Sequence, residues 1–176
     1  MPAALEQRPA TADFAEHYRT YVEQVPAGHI VATLELQIED TLALLRGPAV
    51  AARADDAYAP GKWTIKQVVG HIADAERIFT TRALRFARHD PTPLPSFDEN
   101  AYVEHGGFED RPLAGLVDDL AAVRHATIRL FRSFAADTWD RRGIASGKEI
   151  TPRALAWITA GHELHHRRIL ETRYLG

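Results

Sequence analysis

The chain has 176 residues, 45% of them hydrophobic and 26% charged, with a formal net charge of -3. That is enough for a single domain spanning residues 1–176, and it offers no basic field of the kind that binds nucleic acid. Cysteine is absent, which excludes disulfides, zinc–thiolate sites, iron–sulfur clusters and a cysteine nucleophile. A metal must therefore take nitrogen or oxygen ligands, and thiol chemistry must borrow its sulfur from a substrate or cofactor.

The N-terminal stretch MPAALEQRPATADF lacks a basic segment followed by an apolar one, so no signal peptide is expected. No apolar run approaches the roughly 18 residues of a membrane span, so no membrane partner is expected and a cytoplasmic protein is the simplest reading. Residues 13–25 form a short lead-in helix with Phe14, Tyr18, Tyr21 and Val22 inward. The first long helix covers 28–45, where Ile30, Leu34, Ile38, Leu42 and Leu45 recur at helical spacing until Gly47-Pro48 stops it.

The second long helix opens on the capping-box pattern Thr64-Ile65-Lys66-Gln67, with Trp63 as the preceding hydrophobic staple, and runs to His89 before the segment PTPLP. The loop 90–111 is long for a helix–helix connection, and its Phe97, Tyr102, Val103 and Phe108 are too many large apolar groups to leave in water. A third helix over 112–136 buries Leu116, Leu120, Val123, Thr127, Leu130, Phe131 and Phe134. A fourth over 152–173 has Thr151 as N-cap and Pro152 at the first helical position. No useful strand pattern and no repeat appear. The economical solution is all-α: four antiparallel amphipathic helices in a bundle with a long crossover loop.

On a wheel of about 100 degrees per residue, His162 and His166 fall in the middle of the fourth helix's apolar stripe, among Leu155, Ile158 and Ile169. Burying imidazoles there costs free energy unless their nitrogens are satisfied, and i,i+4 spacing brings two rings to one centre. His71 shares the inward face of the second helix with Val68, Ala75 and Ile78. Three imidazoles with a remaining open position make a catalytic metal arrangement; the bland alternative is three hydrogen-bonded core histidines. The string His162-Glu163-Leu164-His165-His166 also reads as HExxH, with Glu163 as base. Glu163, however, stands about 100 degrees from His162 on the core boundary, ready to pair with Arg167, and the strand-containing context of zincins is missing.

The stretch Gly61-Lys62-Trp63-Thr64-Ile65-Lys66-Gln67-Val68-Val69-Gly70-His71-Ile72-Ala73-Asp74 resembles the opening motif of the DinB-like (damage-inducible) superfamily, and Gly161-His162-Glu163-Leu164-His165-His166-Arg167 resembles its closing motif. Arg82-Ala83-Leu84-Arg85-Phe86-Ala87-Arg88 and Phe97-Asp98-Glu99-Asn100-Ala101-Tyr102 fit a subgroup. The resemblance covers the whole chain. It implies a four-helix bundle of unusual connectivity, often a homodimer, with a divalent metal on His71, His162 and His166. It also implies a metal-dependent hydrolase or a transferase using a low-molecular-weight thiol such as bacillithiol or mycothiol, acting on a small-molecule substrate. A non-catalytic metal-binding or stress-response role is the alternative.

Other residues carry weaker signals. Asp74, one turn beyond His71, either orients an imidazole or pairs with Arg77; with Glu163 it is a candidate catalytic group. Arg82 and Arg85 face the core, where they either form an ion-pair network with Asp98 and Glu99 or bind an anionic substrate or the thiol cofactor. Asn100 and Tyr102 are further pocket candidates, and His17, His29, His89, His105 and His125 receive no role. Trp157, Ala160 and Leu164 make a second apolar stripe on the fourth helix, which calls for a thicker core or a second subunit. Three nitrogens favour zinc or nickel; iron or manganese would fit better if a carboxylate joined.

Overall fold

Caps and prolines set where the helices begin and end. In the computed structural model, which describes residues 5–176, α1 is Arg19–Gln24, α2 Ile30–Leu45, α3 Ile65–Ala87, α4 Glu99–His105, α5 Leu113–Arg132 and α6 Pro152–Ile169. Residues 1–4, the start of the stretch read for a signal peptide, lie outside the described residues. The capping box at α3 is formed as expected: Thr64 accepts from Gln67 N and Gln67 accepts from Thr64 N. Thr151 caps α6 and Pro152 opens it. His29, given no role from sequence, caps α2 by accepting from Ala32 N. Beyond Ile169 the last helix widens into a π turn over Leu170–Tyr174, and the Tyr174 hydroxyl donates to the Trp63 carbonyl at 2.5 Å.

The four long helices form a bundle, but not the all-antiparallel one expected. Gln37 meets Ala160 and Thr41 meets Glu163, so α2 and α6 run parallel. Ile65, Val68 and Ile72 pack with Leu116 and Leu120, whereas Ala83 and Phe86 pack with Ile128 and Phe131, so α3 and α5 also run parallel. The antiparallel neighbours are α3 with α6 and α2 with α5; the sequential pairs α2/α3 and α5/α6 sit across the bundle from one another. This explains the long connection. Two parallel neighbours require the chain to travel back the length of a helix, roughly 30 Å at 1.5 Å per residue, and residues 88–112 make that crossover. Periodicity reveals which face of a helix is buried but not which partner buries it, so neither the order nor the direction of the helices was legible.

The crossover is packed, as its apolar content required. Val103 and Phe108 are buried, and Phe108 lies against Gly70, where a Cβ would come within 2.4 Å of its ring. Tyr102 is an exception and remains largely exposed. The short α4, inside the stretch read as a loop, went unforeseen, as did a small antiparallel hairpin, β1 Gly143–Ala145 and β2 Lys148–Ile150, too short to show an alternating pattern. The hairpin pairs with the crossover through Leu94 N to Ile144 O at 2.8 Å and Ser146 N to Leu94 O at 2.9 Å.

The second apolar stripe of α6 finds its partner within the chain. Trp157 and Ala160 are buried beneath α1 and the segment before it: Arg8 stacks on the Trp157 ring at 4.6 Å and Gln24 donates to the Gly161 carbonyl at 3.1 Å. That face therefore gives no reason to invoke a second subunit. The approach of α1 is close enough to require glycine, since a Cβ at Gly161 would stand 2.0 Å from the Tyr21 carbonyl oxygen. Gly161→Ala should accordingly lower the free energy of unfolding by about 1–3 kcal/mol in urea titration, the cost of overpacking; unchanged stability would show that α1 is not seated there.

Candidate metal centre

The site is built where α3 and α6 run antiparallel. His71 comes from the second turn of α3; His162 and His166, one turn apart, come from the second half of α6. All three are buried, and their donor atoms lie within 4.8 Å of one another. The Nε2 atoms of His71 and His166 stand 3.0 and 3.2 Å from His162 Nε2. Aromatic rings enclose them: Trp63 packs on His71 at 4.7 Å, while Tyr21 and Phe79 meet His162 edge-on at 5.4 and 5.6 Å. The staple position of Trp63 and the inward stripe of the lead-in helix were visible in the sequence, but nothing there tied Trp63, Tyr21 or Phe79 to the histidines.

The donor chemistry fits a cation. A neutral imidazole nitrogen carries either one proton or one lone pair, so His162 Nε2 can satisfy one of its two nitrogen neighbours but not both. One ion shared by three lone pairs satisfies every group, and nitrogens about 2.0–2.1 Å from a tetrahedral ion lie about 3.3 Å apart, close to the spacing observed. Burial favours the neutral, ligating state. It pushes the His71 pKa down to about 4, helped by His165. It holds His162 and His166 well below the usual histidine range, with the neighbouring imidazoles adding to the effect.

The nitrogens face a cavity of about 470 Å³ whose wall includes Tyr21, Phe79, Phe97, His17 and Glu99. A second, smaller cavity of about 260 Å³ lies beyond Trp63 and His166, which line both; its wall includes Tyr58, Lys62 and Asn100. Asn100, a pocket candidate from sequence, thus faces this second space. His17 and Glu99 went unrecognised because the segments carrying them have no periodicity that marks a cavity wall.

The remaining candidates lie elsewhere. Asp74 pairs with Arg77 at 2.9 Å on the outer side of α3. Glu163 is fully buried rather than at the surface. Arg124 binds it at 2.5 Å and Thr41 donates to it, while Arg167 turns instead to Asp40 and Glu171. The wheel located Glu163 correctly at the edge of the α6 stripe but could not foresee that α2 closes over that edge and that Arg124 reaches it from across the bundle. The expected network of Arg82 and Arg85 with Asp98 and Glu99 does not form. Arg85 binds Asp90 at 2.6 Å. Asp98 caps α4, accepting from Asn100 N and Ala101 N. Arg82 donates to the Pro95 carbonyl and to Ser146 Oγ.

Comparison with known proteins agrees with this architecture. The model of the DinB superfamily matches residues 33–170. Among solved structures the fold is similar to that of YfiT from Bacillus subtilis, described as "a probable metal-dependent hydrolase with an unusual four-helix bundle topology", with a TM-score of 0.65 and 18% identity over 97% of this chain and 91% of that one. No curated protein matches the sequence.

The depressed histidine pKa values make the metal-free protein acid-sensitive. Unfolded histidines titrate near 6.5, so below that pH the unfolded chain takes up protons that the folded site refuses, and stability falls as pH falls toward 4. His71 alone accounts for roughly 3 kcal/mol across that window, and above pH ~6.5 the three residues contribute no slope. Urea titrations of the metal-free protein should show lower stability at pH 5 than at pH 7.5, and replacing His71 with Gln should reduce the difference by the share of His71 while His162 and His166 keep the rest.

Proposed function

The chain belongs to the DinB superfamily, and on that premise we propose that it is a metal-dependent enzyme joining a low-molecular-weight thiol to a small electrophilic substrate, with a divalent ion held by His71, His162 and His166. The observation that carries this reading is the pair of cavities meeting at His166 and Trp63: a transfer reaction needs places for two reactants beside one centre. Zinc or nickel suits three imidazoles, and no carboxylate joins the cluster among the described residues. A bound ion there supplies Lewis acidity, lowering the pKa of a thiol or water.

The protein's own groups do the rest. Trp63, Tyr21 and Phe79 keep the imidazoles dry and oriented. Neither Asp74 nor Glu163 is placed to take a proton from a reactant, since each is engaged in an ion pair, and thiol transfer asks least of such groups. Arg82 lines a small recess that shares His17, Tyr18 and Ser146 with the larger space and is the better cofactor-binding candidate; Arg85 is neutralised by Asp90.

A hydrolase is the second reading, favoured by His17 and Glu99 on the cavity wall, either of which supplies a general base, and by the description of YfiT. A purely structural metal site fits less well, because a closed structural ion is normally held by four protein ligands and the cluster offers three. A homodimer belongs to the same proposal and rests on the family resemblance.

His166→Ala should abolish stoichiometric divalent-metal binding measured by elemental analysis and titration; full retention would overturn the site. The metal-loaded enzyme should consume electrophiles only when a bacterial thiol is present. Turnover of esters, amides or phosphoesters without thiol would instead select the hydrolase, and inactivity in both screens would select the non-catalytic role.

A further inference from the structure

The cation that the site reading leaves without a counter-charge is Arg82. It is only 3% exposed, yet no carboxylate lies within ion-pair distance of it among the described residues. Its contacts are two neutral oxygens, Pro95 O at 2.8 Å and Ser146 Oγ at 3.2 Å, and the face of Phe97 at 5.9 Å. Both hydrogen bonds leave from Nη2, and among the described residues neither Nε nor Nη1 has an acceptor. Every other arginine with 3% exposure or less, Arg124 and Arg153, is matched to carboxylates. A buried charge normally requires a partner, because desolvation costs several kcal/mol per ion.

The surroundings of Arg82 point to where that partner sits. Ser146, which it binds, also lines the cavity over the histidines, as does Phe97. A recess of about 10 Å³, room for roughly one oxygen atom, joins Arg82 to Ser146, His17 and Tyr18, the last three shared with that cavity. Lys148 also borders the recess, and so does Glu149, which pairs with Arg142 at 3.4 Å. Ser146 is itself strained. It holds φ +53° ahead of Gly147 at +74° in a hairpin turn that usually takes Asn or Gly at its first position, and such strain tends to collect at functional sites. The hairpin and the crossover, tied together at Leu94, deliver Ser146 and Pro95 to the guanidinium.

We propose that the cavity takes a small organic acid, its reacting group at the three histidines and its carboxylate held by Arg82 and Ser146 at the far end. This deepens the enzyme reading above and rests on it for the position of the reacting group; the carboxylate site stands on Arg82 alone. Arg82 lies eleven residues beyond His71 on α3, roughly 16 Å along the axis, and its side chain leans back toward the helix N-terminus. The acid therefore spans several carbons rather than one or two.

Two titrations test the proposal separately from the metal. With metal-free protein, hexanoate should bind at least tenfold more tightly than 1-hexanol by calorimetry. Arg82→Gln should erase that preference and Arg82→Lys should keep most of it. With cobalt-loaded protein, 6-mercaptohexanoate should perturb the cobalt spectrum at concentrations at least tenfold lower than 6-mercapto-1-hexanol does, again only while residue 82 is cationic. Equal binding of acid and alcohol by the native protein overturns the proposal, as does a preference that survives Arg82→Gln or is lost in a folded Arg82→Lys. Failure of cobalt to bind would overturn the metal reading while leaving the hexanoate result to decide the carboxylate site.

Discussion

One guanidinium organises the bundle. Arg124 of α5 is wholly buried; it forms a bidentate pair with Glu76 of α3 at 2.8 Å, binds Glu163 of α6 at 2.5 Å and donates to the Leu34 carbonyl of α2 at 3.3 Å. Thr41 of α2 completes the set through Glu163. All four long helices thus meet at one charge. Burial alone would lower its pKa, and the two carboxylates more than reverse that effect. Such a network does not by itself argue for high stability, since a hydrophobic core of equal volume often does as well. What it does impose is register: each helix must present one polar group at the same level, and a slip of any helix leaves a charge stranded in the core.

That register sets the metal centre. Glu76 lies five residues after His71 on α3, and Glu163 follows His162 directly on α6. Locking Glu76 and Glu163 to one arginine therefore fixes the two histidine-bearing helices against each other within about a turn and a half of the cluster. At the other end, the π turn holds the loop that carries Trp63, through the Tyr174 hydroxyl on the Trp63 carbonyl. The imidazoles are thus positioned from the core side by ion pairs and from the loop side by an aromatic wall.

How much of this the sequence discloses depends on whether the information is local. Thr64 and Gln67 announce the start of α3, Thr151 and Pro152 that of α6, and the i,i+4 spacing of His162 and His166 places two imidazoles on one buried face. Each of these rests on residues within a turn or two of one another. The parallel pairing of α3 with α5, the diagonal placement of consecutive helices and the cover that α1 lays on Trp157 depend on which faces meet, and periodicity is silent on that. The same gap hid the cavity wall: His17 and Glu99 sit on short segments whose position comes entirely from the long helices they pack against. The ion pairs expected for Arg82 were wrong for a related reason. Asp98 was near in sequence, but its carboxylate was already committed to the backbone of α4, where capping outcompetes a long-range charge pair.

The HExxH string shows why a motif must be read through its secondary structure. On one helix, adjacent residues point about 100 degrees apart, so a glutamate directly after the first histidine cannot share the face of the histidine pair. In a site whose substrate approaches from the side, that offset brings the carboxylate beside the metal. Here α3 occupies the histidine face while α2 closes over the next one and Arg124 reaches it from across the bundle, and Glu163 is delivered into the charge network instead. The same five letters therefore divide between two tasks, two imidazoles for the metal and one carboxylate for register. What separates this arrangement from a protease site is the helix packed on the adjacent face, which the string itself does not encode.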